Sequence, residues 1–313
     1  MKKILILGAG GNLGSALKKL YQESCRRYPQ EYEIIAWDIN DLDVTDFFAA
    51  RRKIAQVWPD VIYNTVAYNN VDACEKDEEE YQKAQLLNVA WPEELAKIAK
   101  NLSAVLVHYS SDYVFGGDCL PNKQSSIDNN QKETHEINKD SGYTEDDQPA
   151  PVNRYGKTKY EGELAIQEIG GRYYIIRLSR LFGGQSISPL TKKSFFKMML
   201  EKGQCSTEVR AVDDEESKYI YAPDLAQESK NIVEGEEPDG IYHIINEGTA
   251  TWYQSLRTLY RLADLETKIT PVSAEEFKRA AKRPRKSVLC NTKRPPLRSY
   301  EEALREWLLT WWF

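Results

Sequence analysis

The segment Tyr155-Gly156-Lys157-Thr158-Lys159 sets a phenol and an ammonium four residues apart. On a helix that spacing brings both to one face, about 6 Å from each other. A free tyrosine ionises near pH ~10, and a neighbouring cation favours its phenolate, so the pair suits proton exchange with a substrate. Chance also supplies Tyr-x-x-x-Lys often, and alone it describes a solvated helix face. Its weight comes from Ser110-Ser111-Asp112-Tyr113, which follows directly on the apolar, β-branched run Ala104 to His108. Open α/β sheets bind ligands at the carboxyl ends of their strands, so Ser111 is expected to hydrogen-bond a carbonyl undergoing reduction.

A third motif precedes both. Gly8-Ala9-Gly10-Gly11-Asn12-Leu13-Gly14 follows the apolar run Ile4 to Leu7. The strict Gly-x-Gly-x-x-Gly spacing fails because position 13 is leucine, whereas Gly-x-x-Gly-x-x-Gly is met by Gly8, Gly11 and Gly14. A βα turn of this kind sets backbone amides and a helix N-terminus against a pyrophosphate. Asp38 ends the next apolar run, where a carboxylate accepts hydrogen bonds from an adenosine ribose and disfavours a 2'-phosphate. Arg51, Arg52 and Lys53 on the following helix could serve a phosphate instead, which leaves NADH and NADPH both open.

The elements that must carry these motifs alternate. Strand-like runs at Ile4 to Leu7, Ile34 to Trp37, Val61 to Val66, Ala104 to His108 and Tyr173 to Leu178 are separated by helical patterns, including Asp46 to Val57, a long stretch around Glu78 to Lys100, and one from Tyr155. That rhythm predicts a Rossmann-type, doubly wound parallel α/β sheet over 1–182. Pro223 to Val233 and Ile241 to Ile245 read as a further helix and strand, so 221–246 is expected to return to that sheet. Residues 183–220 and 247–313 are then left for a smaller substrate-binding lobe. The polar stretch 119–140 is expected to be an exposed loop and a candidate lid. The apolar end, Trp307 to Phe313, needs burial in the chain's own core or against another subunit.

Composition narrows the function. A net charge of -6 offers no broad cationic field for nucleic acid. Five scattered cysteines without a Cys-x-x-Cys pair fit a reducing compartment. The apolar run Ile4 to Leu7 is too short for a signal sequence or a membrane span, so a cytoplasmic protein without membrane attachment is expected. His108 reads as a core histidine, and His135 and His243 build no metal site. Asp72, Glu75, Asp77 and Glu78 to Glu80 read as a solvated acidic cluster at a helix start.

With these residues in view, the chain resembles the dTDP-4-dehydrorhamnose reductase family of extended short-chain dehydrogenases. The shared motifs include Asp41 to Asp46, Asn64 to Tyr68 with Val71-Asp72, Asn88-Val89, Ser110 to Phe115, Tyr155 to Lys159 with Gly162-Glu163, Gly240 to His243, Thr251-Trp252-Tyr253, and Arg283 to Leu289. The resemblance implies a catalytic set of Ser111, Tyr155 and Lys159, with Lys159 lowering the tyrosine pKa and holding the nicotinamide ribose. It implies a dinucleotide site of Gly8, Gly11, Asn12, Leu13, Gly14, Asp38, Asp43, Val44, Ala67, Tyr155 and Lys159, and substrate contacts at Asp112, Tyr113, Arg180, Arg283 and Ser287.

The implied reaction is reduction, by NADPH or NADH, of the C4 keto group of a nucleotide-linked 4-keto-6-deoxy sugar, giving dTDP-L-rhamnose. The family's Arg-Thr-Ser-Trp is here Arg177-Leu178-Ser179-Arg180, and its Gln-x-Gly-x-Pro-Thr is Glu215 to Ile220, so the sugar pocket is altered more than the hydride chemistry. A homodimer is compatible with this reading, and magnesium is left open without a sequence signal. Two alternatives stand beside it: a non-catalytic dinucleotide-binding regulatory subunit, of the kind that modulates methionine adenosyltransferase, and a sugar-nucleotide epimerase or a reductase of a different sugar.

Overall fold

A computed structural model describes residues 1–28, 30–116, 142–184, 186 and 193–311. The chain begins β1 (Lys2–Leu7), α1 (Asn12–Arg27), β2 (Tyr32–Trp37), α2 (Phe47–Val57) and β3 (Val61–Asn64). It continues α3 (Val71–Lys76), α4 (Glu78–Gln85), α5 (Trp91–Leu102), β4 (Val105–Ser111), α6 (Arg154–Ile169), β5 (Tyr173–Leu178) and β6 (Leu181–Phe182). Then come α7 (Phe195–Cys205), β7 (Glu208–Val212), β8 (Glu216–Ser217), β9 (Ile220–Tyr221), α8 (Ala222–Glu234) and β10 (Gly240–His243). The last elements are β11 (Ala250–Thr251), α9 (Trp252–Leu262), β12 (Lys268–Val272) and α10 (Tyr300–Trp311).

Six parallel strands form the central sheet in the order β10-β5-β4-β3-β1-β2. Alternate residues feed opposite faces. Ile4, Ile6, Val61 and Val107 pack with Leu13 and Leu17 of α1 and Leu225 and Ile232 of α8. Leu5, Leu7, Ile62 and Leu106 pack with Ile54 of α2, Leu95 of α5 and Ile166 of α6. Burial on both faces is why these strands read as unbroken apolar runs. The strand order reverses between β1 and β3, which opens a crevice at their carboxyl ends.

The helical stretch expected around Glu78 to Lys100 is broken by a π turn at Leu86–Ala90. Pro92 has no N–H to give the Asn88 carbonyl one helical turn earlier, so regular winding cannot run through. A Cβ on Gly162 would come within 2.0 Å of that carbonyl, so α6 meets the turn almost backbone to backbone. The buried Asn88 amide then donates to the Thr158 hydroxyl at 3.0 Å and to the Tyr68 carbonyl at 3.0 Å, tying α6 to the loop after β3.

A third apolar cluster joins α7, α9 and α10 through Phe196, Leu256, Leu259, Leu304 and Trp307. Trp307 and Leu308 are therefore buried in the chain's own core. The side chains of 311–313 lie outside the described residues, as does the expected lid at 119–140. Among the described residues no helix is long and apolar enough to cross a membrane.

Candidate active site

A cleft of about 460 Å³ lies over the crevice between β1 and β3. One end is the glycine turn. Gly8 has φ +78°, which L side chains rarely adopt, and a Cβ there would meet the Thr65 hydroxyl at 2.7 Å. Gly14 stands behind the turn rather than in the cleft: its Cβ would lie 2.2 Å from the Gly8 carbonyl oxygen, so only glycine lets α1 start this close to β1. Gly11 is the N-cap of α1 and offers no capping side chain. The first N–H groups of a 16-residue helix are thus left to whatever enters the cleft.

Gly8, Gly11, Asn12, Leu13, Asp38, Asp43, Val44 and Ala67 all line this cleft, and so do Tyr155 and Lys159. Asp43 braces its own loop by accepting from the Thr45 amide at 2.9 Å and the Thr45 hydroxyl at 2.7 Å. Two of the three cations of α2 are occupied, and the third, Arg52, is exposed and does not line the cleft. Arg51 pairs with Glu94, while Lys53 donates to the Asp41 carbonyl and lies 4.6 Å over the Trp37 ring.

The other end holds Tyr155 and Lys159. β4 runs further than its apolar pattern suggested, so Ser110 and Ser111 are its last two residues. The Asn153 side chain caps α6 by accepting from the Gly156 amide at 2.8 Å, and this sets Tyr155 in the first turn and Lys159 in the second. Lys159 is 2 % exposed; its Nζ donates to the Tyr109 carbonyl at 2.7 Å and lies 3.5 Å from His108 Nε2. Burial pushes this ammonium down to about 8, against the opposing pull of Glu163. Burial pushes the Tyr155 phenol up, and its hydrogen bond with Ser111 only partly offsets that. The depression of the tyrosine expected from its i, i+4 lysine is therefore outweighed, and Tyr155 is held as a protonated phenol.

The expected substrate residues divide. Tyr113 meets Tyr155 edge to face, with ring centroids 5.9 Å apart. Asp112 and Ser287 do not line the cleft. Both are buried, and the Ser287 hydroxyl donates to Asp112 Oδ2 at 2.6 Å, joined there by Ser217 at 3.0 Å. Their partner is each other rather than an open ligand face. Arg180 lies 3.8 Å over the Trp252 ring and donates to the carbonyls of Ala250 and Glu215 and to the Tyr219 hydroxyl. Arg283 pairs with Asp72 at 2.7 Å. Asp72 is thus not simply solvated, and neither is Glu75, which accepts from the Arg154 amide at 2.6 Å. Both carboxylates brace the rim of the site.

Sequence reading missed several contributors. The Ser110 hydroxyl is buried in the cleft wall and is without a hydrogen-bond partner among the described residues, so it can bond a polar ligand atom. The pairing of Glu215 with Arg279, and the place of Asn64 beneath Lys159, join distant segments and so have no local signal. Among the described residues no group of three or more His, Cys, Asp or Glu is placed to hold a metal ion. An uncapped helix start, a turn that a Cβ would fill, apolar walls and an unpartnered serine hydroxyl together fit a nicotinamide dinucleotide.

Comparison with known proteins agrees with this geometry. The family model described as the RmlD substrate binding domain matches residues 1–310. The spore coat polysaccharide biosynthesis protein SpsK of Bacillus subtilis is 33 % identical, over 98 % of this chain and 97 % of its own. A dTDP-4-dehydrorhamnose reductase crystal structure from Clostridium acetobutylicum superposes with a TM-score of 0.84 at 31 % identity, covering 99 % of this chain and 100 % of the other. The dTDP-4-dehydrorhamnose reductase of Bacillus anthracis, solved in complex with NADP, also gives 0.84, at 28 % identity and the same coverage.

Proposed function

The chain belongs to the RmlD substrate binding domain family, and from that premise we propose that it is an NAD(P)H-dependent reductase of the C4 keto group of a dTDP-linked 4-keto-6-deoxy sugar, converting dTDP-4-dehydro-L-rhamnose to dTDP-L-rhamnose. The observation that carries this reading is that Tyr155, hydrogen-bonded to Ser111, and Lys159 line one end of a cleft whose other end is the glycine turn. It is supported by similarity to proteins named as dTDP-4-dehydrorhamnose reductases, one of them solved with NADP.

In this reading the pyrophosphate of the dinucleotide is held by the turn of Gly8, Gly11, Asn12 and Leu13, its adenosine end by Asp38, Asp43 and Val44, and its nicotinamide end by Ala67, Tyr155 and Lys159. When bound, the reduced cofactor supplies a hydride to the carbonyl carbon. The Ser111 hydroxyl orients the carbonyl oxygen. Tyr155, a protonated phenol at neutral pH because it is buried, gives its proton to that oxygen as negative charge develops. Lys159 lies under the site, anchored on the Tyr109 carbonyl. Tyr113, Arg180 and Arg283 shape the sugar side; Asp112 and Ser287 act by holding the turn after β4.

The test is cofactor oxidation by the purified protein. It should occur when a dTDP-linked 4-keto-6-deoxy sugar is supplied, and Tyr155→Phe should lose about 10³-fold in turnover with cofactor binding kept. Undiminished turnover by that variant would sink the reading. Co-purification with a stoichiometric larger enzyme and no reductase activity would replace it with the regulatory-subunit alternative.

A further inference from the structure

Beneath Lys159 lies a chain of buried polar groups that the proton transfer does not use directly. Trp91 Nε1 donates to Asn64 Oδ1 at 3.1 Å, Asn64 Nδ2 lies 3.0 Å from His108 Nδ1, and His108 Nε2 lies 3.5 Å from Lys159 Nζ. All four residues are buried. An indole N–H can only donate, so it fixes which end of the Asn64 side chain is the oxygen. The Asn64 amide nitrogen must then donate, and His108 Nδ1 must accept. A neutral imidazole that accepts at Nδ1 carries its proton on Nε2.

We propose that His108 is a positioning residue, locked by Trp91 and Asn64 in the Nε2–H form, whose N–H faces Lys159 and favours release of the lysine's proton. The proposal rests on the reading of Lys159 given above. With the ammonium present, two donors face each other across 3.5 Å; once the proton has left, the amine can accept from His108 while still donating to Tyr109. Burial and then the lysine's charge push His108 far below the usual histidine range, which keeps its imidazole neutral. Burial brings Lys159 itself down to about 8, so its proton is exchangeable near neutral pH, where an unperturbed lysine would retain it, and the facing His108 N–H acts in the same direction.

The other charged groups nearby do not produce this bias. Glu163, one turn along α6, favours the ammonium and is itself bonded by Arg177 of β5 at 2.7 Å. Asp112 and Tyr113 after β4, and Cys74 of α3, bear on Tyr155. His108 is the titratable group from β4 that faces the lysine nitrogen.

The chain has three histidines, so selective ¹⁵N-histidine labelling of the full-length protein can read the tautomers directly. His243 supplies a contrast, because its Nδ1 lies 3.0 Å from the Cys290 carbonyl and must be the protonated nitrogen there. The expected wild-type spectrum shows His108 protonated on Nε2, assigned by its loss in His108→Phe. Trp91→Phe frees the Asn64 amide to turn over, after which His108 can present a lone pair to the ammonium. That variant, and His108→Phe independently, should raise the Lys159 titration, followed by labelled-lysine NMR, by about one pH unit. The alkaline limb of kcat should move with it while KM is unchanged.

A wild-type His108 protonated on Nδ1 would overturn the proposal. So would a Lys159 titration that stays put in both variants, or in His108→Phe alone if Trp91→Phe does not fold. Neither NMR measurement needs substrate, so absent reductase activity would count against the proposed function and leave this inference standing or falling separately.

Discussion

The Ser287 hydroxyl donates to Asp112 at 2.6 Å across 175 residues of sequence, fastening the segment after β12 to the turn that follows Ser111. Asp112 also accepts from Ser217 and Ser111, so three hydroxyls hold one buried carboxylate. The carboxylate's burial raises its pKa, and those hydrogen bonds offset the rise only in part.

Removing one of these donors should therefore be costly although no ligand touches it. Ser287→Ala is expected to destabilise the fold by about 2 kcal/mol, since a hydrogen bond to a charged, buried acceptor is lost. Urea denaturation measures this, and an unchanged midpoint would show that the Asp112 cluster does not hold the two segments together.

Gly14 and Gly11 should separate stability from cofactor binding. Gly14→Ala puts a methyl group against backbone of the turn at 2.2 Å and must displace α1, so both the unfolding midpoint and NADH affinity should fall. Gly11→Ala meets only the Gly8 oxygen, at 3.3 Å, and faces the cleft. It should leave the midpoint nearly unchanged while weakening NADH binding about tenfold, about 1.4 kcal/mol, in a fluorescence titration.

Cofactor choice should follow Asp38. Its carboxylate lines the cleft, Arg51 and Lys53 are occupied elsewhere, and Arg52 is exposed outside the cleft lining, so a 2'-phosphate meets negative charge without a dedicated cation. NADH is expected to bind about tenfold more tightly than NADPH, and Asp38→Ser to close most of that gap. Equal affinities in the unmodified protein would contradict this.

Stability should fall as the solution becomes acidic below pH ~6.5. His108 and His243 are buried with their pKa values pushed down by burial, His243 to about 3. Above the unfolded histidine value neither state binds these protons. Below it the unfolded chain takes them up and the folded chain does not, so unfolding is favoured. Two such groups give a loss of about 2 kcal/mol between pH 6 and pH 5. Melting curves across that interval test it; a histidine replaced in His243→Gln should reduce the slope by about half.

Much of the site was legible in the chain because its signals are local. The glycine spacing, the strand before it and the Tyr155 to Lys159 step each depend on neighbours within a turn or two, where backbone geometry leaves few choices. The end of β4 was harder to place, since serines at 110 and 111 carry no strand preference and are drawn into the sheet by pairing with Arg177 and Leu178. The protein partners of Arg180, Arg283, Asp112 and Ser287 were not legible for a related reason: Trp252, Asp72 and, for the last two, each other come from distant segments.

By itself, then, the sequence determined a parallel α/β sheet, a glycine turn after its first strand and the candidate proton-transfer residues, because each is written in short-range periodicity and spacing. Only the tertiary structure decided how those residues are tuned. Burial of Tyr155, the anchoring of Lys159 on the Tyr109 carbonyl, and the line from Trp91 through Asn64 to His108 depend on desolvation and on contacts between β3, α5, β4 and α6, which no local pattern encodes.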